Sequence, residues 1–268
     1  MMKEKYAVIG NPIEHSKSPL IHQSFAAQMG KDISYERVLA PLDGFAHTVN
    51  HLISSGYRGA NVTVPFKFEA YKLCTSLSAR ARSIGSEAVN TLSFIDDEIH
   101  GDNTDGVGLL NDIEHNLNFN IKGKEILILG AGGAAHGVLN SLFGAKSITV
   151  ANRTLEKALQ LVTCISDINA SALMFETLDR PYDLIINATS VGLTNTKLPI
   201  PDVVFGKGCL AYDMMYGRET AFMLQAKNAG ARVADGLGML VEQAAEAFHI
   251  WHGFMPDTKP VIDMLRKT

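Results

Sequence analysis

The chain is short of cysteine and has no excess of positive charge. Its three cysteines, Cys74, Cys164 and Cys209, are scattered and include no C-x-x-C pair. That argues against a disulfide framework or a zinc ribbon and suits a reducing, cytoplasmic setting. Net charge is −4, so a basic footprint for nucleic acid is missing. Repeats, low-complexity segments and long linkers are also missing, and the apolar run in MMKEKYAVIG is too short for a signal peptide. The uncharged stretch from Ile126 to Ala145 is broken by Gly130, Gly132, Gly133, Gly137 and Gly144. With His136, Asn140 and Ser141 beside them, these glycines argue against a membrane span. No G-x-S-x-G element or catalytic-cysteine setting occurs, so hydrolase chemistry is not expected. His249 and His252 lie three apart but have no acidic or cysteine partner at metal-ligand spacing. They read as surface or packing histidines, and no metal site is expected. What is present is ordinary: 268 residues, 46% hydrophobic and 19% charged, enough for two domains or one large one.

The most informative stretch runs from Glu125 to Thr154. An apolar run, Ile126 to Leu129, reads as a strand buried on both faces. Gly130, Gly132 and Ala135 follow at G-x-G-x-x-A spacing, then a helical stripe of Val138, Leu139 and Leu142, then a second apolar run, Ile148 to Ala151. Each small residue has a purpose. Gly130 permits a tight turn, Gly132 lets a pyrophosphate approach bare backbone, and Ala135 lets helix pack on strand. The helix start then offers free N–H groups and partial positive charge. The end of the second strand reaches the adenosine ribose, about twenty residues past the first glycine. Here it reads Ala151-Asn152-Arg153-Thr154, without the acid that would bond an unphosphorylated ribose. Arg153 presents a planar fork suited to a 2′-phosphate, with Thr154 and Lys157 in support. The alternative is that Arg153 is a solvated loop arginine.

Elsewhere, strands and helices alternate. Strands are expected at Tyr6 to Ile9, Ile33 to Leu39 and Gly59 to Val64. A helix capped by Ser18 with Pro19 at its first position, one capped by Asp43, and one near Phe66 lie between or after them. Ala88 to Ile95 and Ile99 to Gly101 flank a hairpin turn at Asp96-Asp97-Glu98, and Thr104 or Asp105 can cap a helix to about Asn116. Beyond Thr154, Leu155 to Ile165 carry a helical stripe. Further strands are expected at Asp183 to Ala188, Cys209 to Asp213 and Arg232 to Ala234. A long amphipathic helix runs from Leu240 to Trp251, and Pro260 starts a short one. The pattern is α/β with mostly parallel sheets.

Four stretches are more polar than a fold requires: Ser16 and Ser18 in HSKS; Asn61, Thr63 and Lys67 in NVTVPFK; Asn90 in AVNT; and Asp102, Asn103 and Asp105 in GDNTDG. Three sit at strand ends, where open α/β sheets bind ligands. Hydroxyl, amide, ammonium and carboxylate groups together suit a small polyhydroxylated substrate. Each residue also has a structural reading. Ser18 and Asp105 can be helix caps, and Lys67 a solvated lysine in a first turn.

GNPIEHSKSP, NVTVPFK, AVNT, GDNTDGVG, GAGGA, NRT, INATSVG, YDMMY and DGLGMLVEQAA stand in the order and spacing found in shikimate dehydrogenases. Over nearly its whole length the chain resembles that family. The resemblance implies an NADP-dependent oxidoreductase that reversibly reduces 3-dehydroshikimate to shikimate, on the way to chorismate and the aromatic amino acids. It implies a discontinuous substrate domain, residues 1–104 and 239–268, with C-terminal helices returning to it, and a Rossmann-like NADP-binding domain, residues 105–238. The catalytic pair falls on Lys67 and Asp105. Substrate contacts fall on Ser16, Ser18, Thr63, Asn90, Tyr216 and Gln243. Cofactor contacts fall on Gly130, Ala131, Gly132, Gly133 and Ala134, then Asn152, Arg153, Thr154 and Lys157, and finally Thr189, Met214, Gly236 and Met239. His136 and Lys157 stand where arginine is common in the family, and His136 is given no phosphate role. The expected state is a cytoplasmic monomer or homodimer whose partners are small molecules. The rivals are a dehydrogenase that also takes quinate or NAD, and a nucleotide-binding regulator. Retention of both Lys67 and Asp105 counts against the latter.

Overall fold

The computed structural model of the chain describes residues 3–82, 87–165, 169–189 and 196–267. Ser190, Val191 and Gly192 of the INATSVG motif lie outside the described residues. Contacts divide the chain into two compact units, Met1–Gly108 with Leu240–Thr268, and Leu109–Met239. Each unit holds a six-stranded sheet.

The first unit contains β1 (Glu4–Gly10), β2 (Ile33–Leu39), β3 (Tyr57–Val62), β4 (Ser76–Leu77), β5 (Thr91–Ile95) and β6 (Glu98–Asp102), in the order β2-β1-β3-β5-β6-β4. β1 runs parallel to β2 and β3, whereas β5 is antiparallel to both β3 and β6. This sheet is mostly parallel, and β5 alone runs against the other five strands. β5 reverses into β6 through the two-residue turn Asp96-Asp97, with φ of 47° and 63°. Both residues in the left-handed region match the twist of a hairpin. As a result β5 starts at the edge where β1, β3 and β6 end.

Several boundaries differ from the sequence expectation, each for a local reason. β3 stops at Val62, since Pro65 has no N–H to continue a ladder and the Thr63 carbonyl instead accepts a turn bond from Phe66 N–H at 3.1 Å. Ser18 is not the N-cap. The helix Ser18–Gln28 has Lys17 at that position and no side-chain cap, and the Ser18 N–H is accepted by the Ser16 hydroxyl. Likewise Gly44, not Asp43, precedes the helix Phe45–Ser54.

The second unit contains β7 (Glu125–Leu129), β8 (Ser147–Ala151), β9 (Asn169–Leu173), β10 (Tyr182–Asn187), β11 (Phe205–Asp213) and β12 (Arg232–Asp235). All are parallel, in the order β12-β11-β10-β7-β8-β9. Strand order reverses between β7 and β10, which is where such sheets open a crevice for ligands. Residues Ile126 to Leu129 of β7 have no exposed surface and pack on both faces, as their unbroken apolar run requires. β9 has no counterpart in the sequence reading. Its residues NASAL are small, half-exposed and at the sheet edge, so neither alternation nor an apolar run betrays it. Among the described residues no helix is long and apolar enough to cross a membrane.

In the first unit, the helices Ser18–Gln28 and Leu237–His252 bring an aromatic cluster onto the sheet. His22 stacks on Tyr35 with ring centres 4.2 Å apart, and Tyr6 stacks on Trp251 at 4.7 Å. The expected packing histidine is His252, against Tyr6 and Phe248, while His249 is exposed. His22 is fully buried, and neither ring nitrogen has a hydrogen-bond partner among the described residues. Burial pushes its pKa down to about 3, and His252 adds to the shift. Folded His22 thus stays neutral where an unfolded imidazole, with a pKa of about 6.5, takes a proton. Stability is full above that value and falls as pH drops from 6.5 toward 3, by at most about 1.4 kcal/mol per pH unit for one group. Replacing His22 by Phe should flatten this decline. Melting temperature against pH for both proteins checks it, and equal slopes would contradict it.

Candidate active site

At one edge of the first unit's sheet, β1, β3 and β6 end and β5 begins, so four loops converge. The loop after β1 carries Ser16 and Ser18, with the Ser16 hydroxyl donating to the Ser18 hydroxyl at 3.2 Å. Arg37 anchors this loop from β2, donating through Nε and Nη2 to the Ser16 carbonyl at 2.9 and 2.7 Å. Gly10 is needed where the loop leaves the strand, since a Cβ there would come within 2.5 Å of Thr63 Cγ2. Thr63 is thereby held against β1, its N–H donating to the Ile9 carbonyl at 2.9 Å.

Lys67 opens the helix Lys67–Leu73, and its Nζ donates to Asp105 Oδ2. A lysine in a first turn opposes the helix dipole, and the carboxylate offsets this. The side chains are 17% and 8% exposed, so this is a largely desolvated pair in which either charge alone would be costly. Asp105 is not acting as a cap, because its two carboxylate oxygens are taken by Lys67 and Asn90. The solvated-lysine reading fails for the same reason.

Asn90 joins these loops. Its Nδ2 lies 2.8 Å from Asp105 Oδ1, 2.9 Å from Thr104 Oγ1 and 3.3 Å from Gln243 Oε1, while its Oδ1 accepts from Thr104 N–H at 2.8 Å. Gln243 comes close because Gly108 has no side chain; a Cβ there would be 2.6 Å from the Gln243 nitrogen. Asp102 is tied down by the Ser78 hydroxyl at 2.7 Å and by Arg80, which also reaches Glu246 at 3.1 Å. Asn61 was not among the expected contact residues, yet it is buried beneath them. It accepts from the Tyr35 hydroxyl at 2.7 Å and donates to Thr91 Oγ1 at 3.1 Å. An asparagine inside the apolar run Ala60 to Val62 was the available signal. Tyr216 lies in the other unit, half-buried, and burial raises its pKa.

In the second unit, Gly130 follows β7 with φ of +101°, and a Cβ there would lie 3.1 Å from Thr189 Cγ2. A side chain is excluded on both counts. The helix Gly133–Leu139 starts without a side-chain cap, and a Cβ at Gly132 would meet no described heavy atom within 4 Å. The first N–H groups of a helix have no intrahelical partner, so those of Gly133 and Ala134 suit a pyrophosphate. After β8, Asn152 Nδ2 donates to the Thr154 carbonyl at 2.9 Å and shapes the turn that exposes Arg153. Thr154 and Lys157 are exposed beside it, and residues 151–154 contain no acid. These groups fit a dinucleotide with a phosphorylated ribose.

Thr189, Met214 and Gly236 stand at the ends of β10, β11 and β12, and Met239 is buried just beyond. Met214 N–H donates to the Asn187 carbonyl at 3.1 Å, and Gly236 N–H to the Met215 carbonyl at 2.9 Å. Asn187 and Asp213, inside INATSVG and YDMMY, carried no expected role of their own, but both are buried at these strand ends. Among the described residues no group of three or more His, Cys, Asp or Glu is placed to hold a metal.

Comparison with known proteins agrees with this geometry. A shikimate dehydrogenase substrate-binding domain matches residues 8–92, a shikimate/quinate 5-dehydrogenase domain 112–195, and a shikimate 5′-dehydrogenase C-terminal domain 236–266. The shikimate dehydrogenase (NADP(+)) of Methylobacillus flagellatus is 57% identical, over 98% of this chain and 99% of that one. That of Dechloromonas aromatica is 52% identical, over 99% and 98%. The fold superposes on an Ael1 enzyme from Pseudomonas putida with a TM-score of 0.91 and 42% identity, covering 98% of each chain. It also superposes on shikimate 5-dehydrogenase from Thermus thermophilus, in complex with NADP(H) and shikimate, with a TM-score of 0.87 and 32% identity, covering 98% and 99%. The chain belongs to the shikimate dehydrogenase family.

Proposed function

We propose that this chain catalyses the reversible, NADPH-dependent reduction of 3-dehydroshikimate to shikimate, a step toward the aromatic amino acids. The observation that carries the reading is the Lys67–Asp105 pair, held by Asn90 at a sheet edge lined with hydroxyls. Substrate binding is assigned to the unit Met1–Gly108 with Leu240–Thr268, and cofactor binding to Leu109–Met239. Three free cysteines, two of them with thiols pushed up to about 12 by burial, fit a reducing cytoplasm.

When bound, NADPH supplies the hydride to the ketone carbon. The Lys67 ammonium gives a proton to the ketone oxygen as it becomes the alcohol, and the amine takes that proton back in the reverse direction. Asp105 orients the lysine through Oδ2, while Asn90 occupies Oδ1 and keeps the carboxylate from turning. Ser16 and Ser18 take the substrate carboxylate. Each has a single hydroxyl hydrogen, so the carboxylate displaces the Ser16-to-Ser18 bond. Thr63, Asn90, Gln243 and Tyr216 are assigned to the rest of the substrate. Gly130 to Ala134, Asn152 to Thr154, Lys157, Thr189, Met214, Gly236 and Met239 are assigned to the cofactor.

The direct test is to mix the protein with NADP+ and shikimate and follow reduced-cofactor absorbance; no increase would overturn the proposal. Lys67→Ala should lower kcat by about 10²–10⁴-fold, the usual worth of a general acid, and leave shikimate affinity much less altered. Near-normal kcat would remove Lys67 from the proton transfer. Ser16→Ala should raise KM for shikimate by roughly threefold to twelvefold, matching about 0.7–1.5 kcal/mol for one hydrogen bond. KM for NADP+ should stay nearly constant, and parallel changes in both would make the loop purely structural. For cofactor choice, Arg153→Ala should cost about 1.5–3 kcal/mol of NADP+ affinity, or roughly ten- to 150-fold, and little for NAD+. Comparing kcat/KM for both cofactors in both proteins decides this, and equal losses would refute the phosphate contact.

A further inference from the structure

We propose that Asp213 is a positioning residue for the nicotinamide half of the cofactor, acting through Asn187 and Thr189 and through the turn that carries Met214. The proposal rests on the assignment of Thr189 and Met214 to the cofactor. Asp213 ends β11 and has no exposed surface, so it reaches ligand only through other residues. Its Oδ2 accepts from the Thr220 hydroxyl at 2.5 Å and from Asn187 Nδ2 at 3.2 Å, and its Oδ1 from Met215 N–H at 3.0 Å.

Donor and acceptor roles in this network are unambiguous. Thr189 N–H and hydroxyl both reach Asn187 Oδ1, at 3.2 and 2.7 Å. A backbone N–H can only donate, so Asn187 turns its oxygen to Thr189 and its amide hydrogens to Asp213. Thr220 accepts from Met223 N–H at 3.2 Å as the cap of the helix Ala221–Asn228, which leaves its hydrogen for Asp213. All three partners of the carboxyl are donors, and the site is built for a carboxylate. Burial pushes its pKa up, and those donors oppose the shift. One buried charge thereby sets the end of β10 through Asn187 and the turn after β11 through Met215. The Met215 carbonyl in turn receives Gly236 N–H from the end of β12 at 2.9 Å.

Sheet order says which part of the cofactor depends on it. The turn after β7 takes the pyrophosphate and the end of β8 takes the adenosine ribose. The dinucleotide's other half therefore lies across the switch point, over the ends of β10, β11 and β12. Those are the strand ends that Asp213 organises.

Asp213→Asn keeps the shape but brings an NH₂ group against a set of donors, so one of the three bonds is lost. Calorimetric titration with NADP+, and with the fragment that lacks nicotinamide (2′-phospho-ADP-ribose), separates the halves. NADP+ should bind about tenfold more weakly, the order of one misplaced hydrogen bond, and the fragment within about twofold of wild type. Thr220→Val removes a single donor and should show a smaller loss with the same bias, so it carries the test if Asp213→Asn does not fold. Equal losses for both ligands would mean general loosening, and no loss for either would mean no role; each overturns the proposal. Thr189→Ala and Met214→Ala separate the two layers of the argument. If they weaken NADP+ selectively and Asp213→Asn does not, the relay is wrong. If they too leave NADP+ unaffected, the cofactor assignment itself falls.

Discussion

An amide side chain has two hydrogens to give, and at Asn90 three oxygens stand within reach of them. Thr104, Asp105 and Gln243 come from the loop after β6 and from the helix Leu237–His252, and all three meet the same buried nitrogen. Such a cluster has little freedom. The Asn90 oxygen must face Thr104 N–H, so its nitrogen must face the Asp105 carboxylate. The carboxylate is thereby turned toward Lys67. An ion pair this far out of water is stable only while both partners stay in place, so the polar floor of Asn61, Thr91 and Asn90 is what the site's geometry depends on.

The second unit makes its site largely by leaving things out. Gly130 has no side chain to strike Thr189, and the helix Gly133–Leu139 starts without a capping side chain. The end of β8 has no acid to repel a phosphate. Where positive charge appears, at Arg153 and Lys157, it is exposed and free to meet an anion from solvent. Negative charge is placed differently: Asp213 lies wholly inside, surrounded by donors. Exposed cations can contact a ligand, whereas a buried anion can only hold other groups in place.

Much of this was legible in the chain alone. An unbroken apolar run marked β7, and largely apolar runs marked β8 and β10, since a strand covered on both faces needs no alternation. Spacing of Gly130, Gly132 and Ala135 marked the turn between β7 and its helix, because that turn's demands are steric and local. The edge strand β9 was not legible, with small half-exposed residues that carry no period. The hairpin turn at Asp96 and Asp97 marked β5 and β6 as antiparallel, but the antiparallel pairing of β5 with β3 was not legible. A turn shows that the chain reverses, not which strand β5 will then join.

Sequence by itself determined which chemical groups stand at strand ends, because strand, turn and helix signals act over a few residues. Only the tertiary structure decided which of those groups meet. Lys67 and Asp105, or Asn90 and Gln243, are far apart along the chain and come together through sheet pairing and through the helix Leu237–His252. The same holds for Ser18. Its neighbours in sequence suggested a helix cap, but Ser18 lies inside the helix and its hydroxyl meets that of Ser16. Hydrogen-bond partners are settled by competition in three dimensions, and no local pattern records the outcome of that competition.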